Sequence, residues 1–344
     1  LKPRSTVIVW AGDVAGEVVD CARVLGLDAD GAGLIEVPDG ANGRGLREVG
    51  CLPVAGPGLA DTPQGLETGG IRDGLAGGDL AAALLVNADP LREFAGGPAW
   101  SEALGKAECV VAVSMFENAS TAKADVVFPA ESYAEREGTV THPDGRLQRL
   151  RPGIPRPGSV RPLWEVLAEL SALLGDETGV DSAPDALAAL ASEVPFYAGL
   201  TPDEIGGTGV RWQEREAASR VPEPPESSSI HGFLTLGGSA EGNRELRIGT
   251  YRDLWAAEVT ERSPALRFLM PHQTVELAPA DAGRMGLDSG EQVEVRSNGT
   301  SVPARVSIRE RIRPGSGFMI EGLGDGAGAL RGETVEVTRA GRSE

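Results

Sequence analysis

Short apolar runs alternate with helical patterns along the first part of the chain. Thr6–Gly12 is a β-rich run that ends in glycine, and the segment after it has apolar residues at helical spacing. Further apolar runs, Ala81–Pro90, Glu108–Ser114 and Asp125–Ala130, are separated by helical or turn segments. Continuous apolar strands that alternate with helices are typical of a parallel sheet covered on both faces, so this part predicts an α/β fold. Ligands of such sheets bind at the carboxyl ends of the strands, here WAGD, NADP, SMFEN and PAES.

Two helices and a connector are predicted in the middle of the chain. An amphipathic helix over 161–175 is expected to turn one face inward, formed by Leu163, Val166, Leu167, Leu170, Leu173 and Leu174. The segment SAPDALAAL predicts a second helix, with Ser182 or Asp185 near its start. Residues 215–229 are rich in proline, serine and charge, which indicates a linker or a mobile surface strap.

The periodicity changes from Glu245 onwards. Several short segments alternate apolar and polar residues with a period of two, and Ser297–Thr300 reads SNGT, a hairpin turn signal. A single short helix, PADAGRMGL, interrupts these strands. This end of the chain therefore predicts a compact β-barrel domain.

Composition excludes several classes of partner. The chain has 344 residues, enough for about two domains, and a formal net charge of -19. No cluster of lysine and arginine is present, so binding to nucleic acid or to an anionic membrane surface is not expected. No apolar run reaches the roughly 20 residues of a membrane span, so direct membrane insertion is not expected either.

Residue chemistry alone identifies no catalytic centre. The cysteines are far apart and form no C-x-x-C pair, so reduced, partly buried thiols are expected at Cys21, Cys51 and Cys109. The histidines are isolated, at His142, His231 and His272, and no G-x-S-x-G elbow occurs. We therefore predict no nucleophile, no metal site and no redox centre in this sequence.

Two further patterns each have a functional and a structural interpretation. In an extended segment, Glu135 and Glu137 would lie on the same face and would form an acid–base pair. The alternative is that both are exposed loop charges. Gly12 and Gly16 follow the first strand without the full G-x-G-x-x-G pattern. They indicate either a tight turn or, as a weaker signal, a dinucleotide-binding loop.

Several longer stretches resemble known families. The segment KADVVFPAESYAEREGTVTHPDGRLQ (Lys123–Gln148) resembles a segment of molybdopterin-dependent oxidoreductases, and Asn87–Pro90 resembles their strand-end turn. Gln273–Gly299 is similar to the recurrent pattern of their carboxy-terminal domain. Ala41–Pro53 and Leu246–Pro271 resemble the subunit designated G, here the G-type subunit, of bacterial NADH-quinone oxidoreductase, which is respiratory complex I.

The resemblance implies an α/β fold in which a Rossmann-like parallel sheet domain is followed by a double-psi β-barrel. We expect a Rossmann-like domain over 1–195, a linker or strap over 196–243 and a molybdopterin dinucleotide-binding-like barrel over 244–344. The chain starts at Leu1 rather than at Met and is expected to be part of a longer protein whose iron–sulfur clusters lie upstream. It is expected to hold no cofactor itself. Its catalytic and metal sites are therefore expected to be absent.

A vestigial pterin site is the implied remnant of the cofactor. The candidate residues, taken from positions that match the superfamily's motifs, are Asn87, Asp89, Thr139, His142, Arg146 and Gln148. His142 stands where the superfamily usually has asparagine, which removes the paired donor and acceptor of the amide. Gly138 and Gly145 are expected at positive φ, and Arg146 is expected to pair with a local carboxylate.

The hypothesis is that the chain is a scaffold portion of the complex I subunit that carries electrons from NADH to quinone. Its implied partners are other subunits of the peripheral arm, and its implied location is cytoplasmic, at the inner face of the cell membrane. One alternative is a fragment of an active molybdenum bis-molybdopterin-guanine-dinucleotide enzyme, similar to formate dehydrogenase. A second alternative is a binding module that keeps a guanine-nucleotide pocket.

Overall fold

A computed structural model of the chain describes residues 6–11, 15–27, 33–38, 40–222 and 245–340. The chain divides into two compact units, each built from two separate segments. The first unit comprises Leu1–Glu67 and Pro129–Leu234, and the second comprises Thr68–Phe128 and Thr235–Glu344. The domain limits proposed from the sequence, 1–195, 196–243 and 244–344, stay a prediction.

Strands and helices follow one another in the order expected of a mixed α/β chain. The described strands are β1 (Val7–Trp10), β2 (Gly33–Glu36), β3 (Ala82–Val86), β4 (Cys109–Ser114), β5 (Val126–Pro129), β6 (Gly138–Thr141), β7 (Arg146–Leu150), β8 (Val210–Arg211), β9 (Glu245–Arg252), β10 (Thr274–Leu277), β11 (Gln292–Ser297), β12 (Thr300–Ile308), β13 (Ser316–Glu321) and β14 (Thr334–Arg339).

The described α-helices are short. They are α1 (Ala15–Leu25), α2 (Gly43–Glu48), α3 (Thr68–Gly77), α4 (Pro90–Glu93), α5 (Gly97–Lys106), α6 (Leu163–Leu173), α7 (Ala183–Glu193), α8 (Pro202–Ile205), α9 (Glu258–Arg262) and α10 (Pro279–Met285). Short 3₁₀ helices cover Pro57–Leu59, Thr121–Lys123, Pro195–Tyr197, Trp212–Glu214, Glu216–Arg220, Arg267–Leu269 and Ala327–Leu330. Within the described ranges, no helix is long and apolar enough to cross a membrane.

The first unit contains a two-stranded parallel sheet and a three-stranded antiparallel sheet. Strand β1 pairs with β2, a strand that the sequence analysis did not predict, in a register that sets Trp10 opposite Glu36. Strands β6, β7 and β8 form the antiparallel sheet. A hydrophobic core of the first unit includes Leu147, Leu187, Ala191, Val194, Phe196, Tyr197, Leu200, Ile205 and Trp212. The part of the predicted strap that is described, 196–222, thus contributes buried side chains, and 223–243 lie outside the described residues.

The inward face predicted for helix α6 is only partly correct. Val166 is buried as predicted, but Leu167, Leu173 and Leu174 are exposed, the last two by 85% and 80%. An apolar stripe indicates that a helix is suited to packing on one face, but it does not specify which neighbour covers that face. Helix α7 follows the prediction more closely, because the Ser182 hydroxyl caps it by accepting the Asp185 N–H at 3.2 Å.

The second unit opens with a three-stranded sheet in the order β3–β4–β5, in which β3 and β4 run parallel. Helices α3 and α5 cover one side, and their core contains Leu75, Trp100, Ala103, Leu104 and Val110. The expected cover on both faces is not present among the described residues, since Leu84 and Val86 of β3 are 42% and 37% exposed. The first strand of the sequence prediction belongs to the β1–β2 pair instead.

The remainder of the second unit is a closed six-stranded barrel in the order β10–β12–β11–β14–β9–β13. Two pairs are parallel, β10 with β12 and β9 with β13, and the other neighbours are antiparallel. This arrangement is a double-psi β-barrel, and its interior is filled by alternate residues such as Val275, Val295 and Val337. The predicted SNGT hairpin joins β11 to β12 with Asn298 and Gly299 at positive φ. Strand β14 was not predicted.

Candidate functional site

The residues Asn87 and Asp89 lie together at the carboxyl end of β3, in the second unit. Asn87 has φ of 48°, and its N–H donates to the Val113 carbonyl at the end of β4 at 2.8 Å. Asp89 is only 6% exposed, and its Oδ1 accepts a hydrogen bond from the Ser120 hydroxyl. Ser120 is fully buried and also accepts the Leu91 N–H at 3.2 Å. The two strand ends are therefore tied together through side chains.

In the sequence, NASTAKA (Asn118–Ala124) predicts a short helical turn after β4, with Asn118 or Ser120 as its cap. The structure uses Asn118, whose Oδ1 accepts the Thr121 N–H at 2.8 Å. Ser120 has no capping role and binds Asp89 instead. The sequence identified the turn but not the partner of the serine.

A cleft of about 480 Å³ lies beside these strand ends, within the second unit. Its walls include α4, the start of α5, helix α9 and loops of the barrel. The ionisable residues among its lining are Asp89, Arg92, Glu258, Glu261, Arg262 and Asp325. Four carboxylates thus face two guanidinium groups, so the cleft is acidic overall.

Arg92 already has hydrogen-bond and ion-pair partners inside this cleft. Its Nε donates to the Leu323 carbonyl at 3.0 Å and its Nη2 to the Gly322 carbonyl at 2.5 Å. Glu258 and Glu261 lie 4.0 and 3.8 Å from its guanidinium nitrogens, and the side chain is 17% exposed. Gly322 has φ of +91°, and a Cβ there would clash with the Ala256 carbonyl oxygen, so only glycine holds this loop against Arg92.

The second arginine, Arg262, is half exposed at the rim. Its Nη2 donates to the Glu117 carbonyl and lies 3.5 Å from Oε1 of Glu258. Its charge is therefore shared with a carboxylate of the same cleft. Neither arginine presents an uncompensated positive charge to a ligand.

Burial shifts the acids around Arg92 towards their neutral forms. Desolvation raises the pKa of Glu258 above its ordinary value, although the charges of Arg92 and Arg262 lower it in part. Desolvation likewise raises the pKa of Asp325, although that carboxylate accepts hydrogen bonds from the Ala327 N–H at 3.0 Å and the Gln273 side-chain amide at 2.9 Å. Glu93, on α4, also has a pKa raised by desolvation.

The other four predicted site residues lie on one hairpin of the first unit. Val140 of β6 pairs with Gln148 of β7, and Thr139 pairs with Arg149. Directly opposed residues share a face and successive residues alternate, so Arg146 and Gln148 lie on one face and Thr139 on the other. The hairpin does not gather these side chains on a single face.

The turn of this hairpin is closed on itself. The Gly145 N–H donates to the His142 carbonyl at 2.8 Å, and Gly145 has φ of 86° as predicted. His142 Nδ1 lies 2.9 Å from Oδ1 of Asp144 in an exposed pair. Arg146 contacts Asp144 through its backbone N–H at 2.9 Å. The guanidinium nearest to Asp144 belongs to Arg211, at 3.9 Å.

The charge of Asp144 is stabilised within this turn. Desolvation raises the pKa of Asp144, but hydrogen bonds from His142 and from the Arg146 N–H, with the charges of His142 and Arg211, outweigh it. The net effect is a pKa below the ordinary value. The aspartate therefore completes the turn as an anion.

The acidic pair Glu135 and Glu137 has a structural role that the sequence did not show. Glu135 is buried, and its Oε2 accepts the Ser132 N–H at 2.9 Å, whereas Glu137 lies 3.7 Å from Arg149. The expectation of exposed loop charges is thus wrong for Glu135. The two carboxylates bind different partners and do not form an acid–base pair.

A buried polar cluster in the first unit was missed entirely. Glu48 is 5% exposed and accepts hydrogen bonds from Arg44 Nε at 2.7 Å, Trp212 Nε1 at 3.0 Å and the Tyr197 hydroxyl. Burial, followed by the charge and hydrogen bond of Glu48, strongly raises the pKa of Tyr197. Arg44, Glu48 and Trp212 of this cluster line a pocket of about 520 Å³ within this unit. In the sequence, the only indication of this region was the stretch Ala41–Pro53, which resembles a complex I subunit.

The cysteines and the remaining histidines do not form a site in the described part of the chain. Cys21, Cys51 and Cys109 are all exposed, which corrects the expectation of partly buried thiols. Among the described residues, no group of three or more histidine, cysteine, aspartate or glutamate side chains is arranged to hold a metal ion. His231 and Gly12 lie outside the described residues.

Relatives of known function match most of the chain. NADPH-Fe(3+) oxidoreductase subunit alpha of Geobacter sulfurreducens is 28% identical over 88% of this chain and 36% of its own length. A G-type subunit of NADH-quinone oxidoreductase from Rhizobium meliloti is 25% identical over 89% of this chain and 37% of its own. F420-dependent formate dehydrogenase 2 subunit alpha of Methanococcus maripaludis is 25% identical over 68% and 37%. The chain spans about a third of the length of these relatives.

A solved structure agrees with the fold. The chain resembles acetylene hydratase from Pelobacter acetylenicus with a TM-score of 0.58 and 13% identity, over 83% of this chain and 47% of that one. The profile of the molybdopterin oxidoreductase family matches residues 69–173, and that of the molydopterin dinucleotide binding domain matches 246–344. These matches cover more than half of the sequence in the expected order. The chain therefore belongs to the molybdopterin oxidoreductase family.

Proposed function

We propose that this chain is the carboxy-terminal part of a protein related to the G-type subunit of NADH-quinone oxidoreductase, and that its molybdopterin site is vestigial. In the intact enzyme, electrons from NADH would reach quinone through iron–sulfur clusters outside this chain. This part would supply structure and contacts to other subunits of the peripheral arm. Its place would be the cytoplasmic side of the cell membrane.

The acidic cleft around Arg92 is the observation that carries this proposal. A molybdopterin dinucleotide contains a diphosphate, and proteins hold such groups with free N–H donors and cations. Here the lining offers four carboxylates, and both arginines already interact with carboxylates or carbonyls of the same unit. Placing two further negative charges beside Asp89 and Glu258 would be repulsive. The residues of this cleft do not fit the dinucleotide.

The hairpin supports the same conclusion. His142, at the position where the superfamily usually has asparagine, pairs with Asp144, and the Asp144 carbonyl accepts the Gln213 side-chain amide at 2.9 Å. Thr139 lies on the opposite face from Arg146 and Gln148. The motif therefore retains a turn with internal partners.

Elemental and pterin analysis of the purified intact protein tests the proposal. We expect no molybdenum or tungsten by mass spectrometry and no fluorescent pterin after oxidation. A formate dehydrogenase produced in the same host and handled in parallel should contain both, which shows that the host supplies the cofactor. Stoichiometric metal and pterin in the intact protein would contradict the vestigial site.

An active molybdenum enzyme is the second candidate. The formate dehydrogenase relative from Methanococcus maripaludis is as similar to this chain, at 25% identity, as the complex I relative. Formate-dependent reduction of a dye by the intact, cofactor-bearing protein would favour this candidate. NADH-dependent quinone reduction by the intact complex, without molybdenum, would favour the first.

A further inference from the structure

The pocket of the first unit has a largely apolar wall. Its volume is about 520 Å³, which is within the range of small-molecule sites. Nine of its thirteen lining residues are apolar, and three of these, Trp10, Phe196 and Trp212, carry aromatic rings. The ring centroids of Phe196 and Trp212 lie 4.6 Å apart, with an angle of 39° between the ring planes. A planar apolar group in this pocket would therefore have aromatic and aliphatic side chains as its neighbours.

The four charged residues of the lining are paired with one another. Arg44 Nε donates to Glu48 at 2.7 Å, and the Arg44 guanidinium lies 5.6 Å from the ring centroid of Trp212. The Arg47 guanidinium donates to both carboxylate oxygens of Glu36, at 3.0 and 2.5 Å. The formal charges of the lining thus cancel. A charged ligand would have to displace one of these existing partners.

Leu59 lines the pocket in a backbone conformation that leucine rarely adopts. Its φ is 63°, in the left-handed region that favours glycine, and its side chain is 41% exposed. Leu34, from strand β2, lines the same pocket and is 37% exposed. A strained residue whose apolar side chain remains exposed gains little from packing within the chain. Backbone outliers of this kind cluster at ligand sites.

We propose that this pocket binds a neutral, planar aromatic compound that packs against Leu34, Leu59 and Trp10. A charged compound would lose hydration on entry and would find no free counter-ion, whereas a neutral ring loses little and buries apolar surface. The volume suits a compound of about two or three fused rings. This binding activity is separate from the proposed electron-transfer role and does not depend on the state of the molybdopterin site.

Titration of the purified full chain with matched compounds tests the inference. Naphthalene-2-carboxamide is the neutral probe, naphthalene-2-carboxylate is its anionic counterpart and 2-naphthylmethylammonium is a cationic one. Decahydronaphthalene-2-carboxamide has the same neutral group on a ring system that is not planar. We expect saturable binding of the neutral aromatic probe, with Kd of about 1 mM or tighter by NMR or calorimetry. The two charged probes should bind at least fivefold more weakly, and the non-planar amide at least threefold more weakly.

Two substitutions on one strand locate the site. Leu34→Trp fills the pocket from β2, so we expect it to weaken binding of the neutral probe at least tenfold while circular dichroism stays unchanged. Ile35→Trp adds a side chain of the same size at the next position of β2. Ile35 lies on the opposite face of the strand, is 50% exposed and is not part of the pocket lining. This variant should bind like the wild type.

Leu59→Gly tests the strained wall independently of the strand. Glycine adopts a φ of 63° without strain, so the variant should unfold at the denaturant concentration of the wild type or above it. Loss of the side chain should nevertheless weaken binding of the neutral probe at least threefold. A leucine with only a structural role would give the reverse result, a lower unfolding midpoint with unchanged binding.

Several other outcomes would overturn the inference. These are no saturable binding of the neutral aromatic probe, equal or tighter binding of a charged probe or of the non-planar amide, equal losses in Leu34→Trp and Ile35→Trp, or tighter binding of pterin. Molybdenum and pterin analysis of the intact protein tests the vestigial site and is unaffected by whether the naphthalene probe binds. Failure of one proposal is therefore distinguishable from failure of the other.

Discussion

The Asp89 carboxylate and the Ser120 hydroxyl form a buried hydrogen bond that joins the ends of two neighbouring parallel strands. The two residues are 31 positions apart in the sequence. The same serine accepts the Leu91 N–H, so one hydroxyl orders both the strand end and the first turn of α4. This pair fixes the carboxylate that faces the acidic cleft.

Replacing Ser120 by alanine should destabilise the second unit. Asp89 would lose its donor and Leu91 its acceptor inside a buried region, and an unsatisfied group of this kind costs about 1–3 kcal/mol. Urea unfolding monitored by tryptophan fluorescence measures the loss. Ser192→Ala, at an exposed site of α7, should change the free energy of unfolding by less than about 0.5 kcal/mol. Equal effects of the two substitutions would contradict the role of the pair.

Glu48→Gln should destabilise the first unit strongly. The amide replaces one acceptor oxygen by an N–H₂ group, so at least one of the donors Arg44, Tyr197 and Trp212 loses its partner. Hydrogen bonds to a charged group contribute about 1.5–3 kcal/mol each. Thermal unfolding should show the decrease, while the exposed Glu193→Gln on α7 should unfold like the wild type. A stable Glu48→Gln protein would show that the cluster is not structurally important.

Gly145→Ala should be costlier than Gly158→Ala and Gly207→Ala. The position has φ of +86°, and a Cβ would clash with the Gln213 side-chain amide. The backbone strain, together with displacement of the Gln213 amide from the Asp144 carbonyl, should cost about 2 kcal/mol. Gly158→Ala has positive φ but open surroundings and should cost about 1 kcal/mol. Gly207→Ala has neither feature and should leave the free energy of unfolding nearly unchanged. Equal denaturation midpoints for the three variants would contradict this prediction.

Glu258 should make the second unit less stable as the pH rises. Burial raises its folded-state pKa above the ordinary 4.5, so its stabilising contribution is fully present below that value and is lost as the pH rises through the folded pKa. Glu258→Gln removes this loss. Compared with wild type, the variant should gain up to about 1 kcal/mol near neutral pH, and the gain should vanish in acid.

Unfolding of both proteins at a series of pH values measures this difference. Glu310→Gln is the matched control at an exposed loop position, and its difference from wild type should not follow the same pH course. A Glu258→Gln variant that is less stable than wild type at neutral pH would show that the pairing of Glu258 with Arg92 and Arg262 outweighs burial.

Local patterns in the sequence predicted most of the strands and the class of the fold. A period of two from Glu245 onwards indicated the barrel, because alternate side chains of each strand must fill its interior. The continuous run Ala81–Pro90 indicated a parallel strand, and β3 lies there. Motif resemblance then identified the family, which neither composition nor periodicity could do.

Tertiary structure alone decided which side chains meet and which faces are covered. Glu48 contacts Tyr197 and Trp212, residues 149 and 164 positions away, and no local pattern carries such a pairing. Leu173 was expected inside and is exposed, because amphipathicity describes a helix but not its neighbours. The charge of the cleft is likewise a sum over Arg92, α9 and the barrel loops, segments whose proximity exists only in the fold.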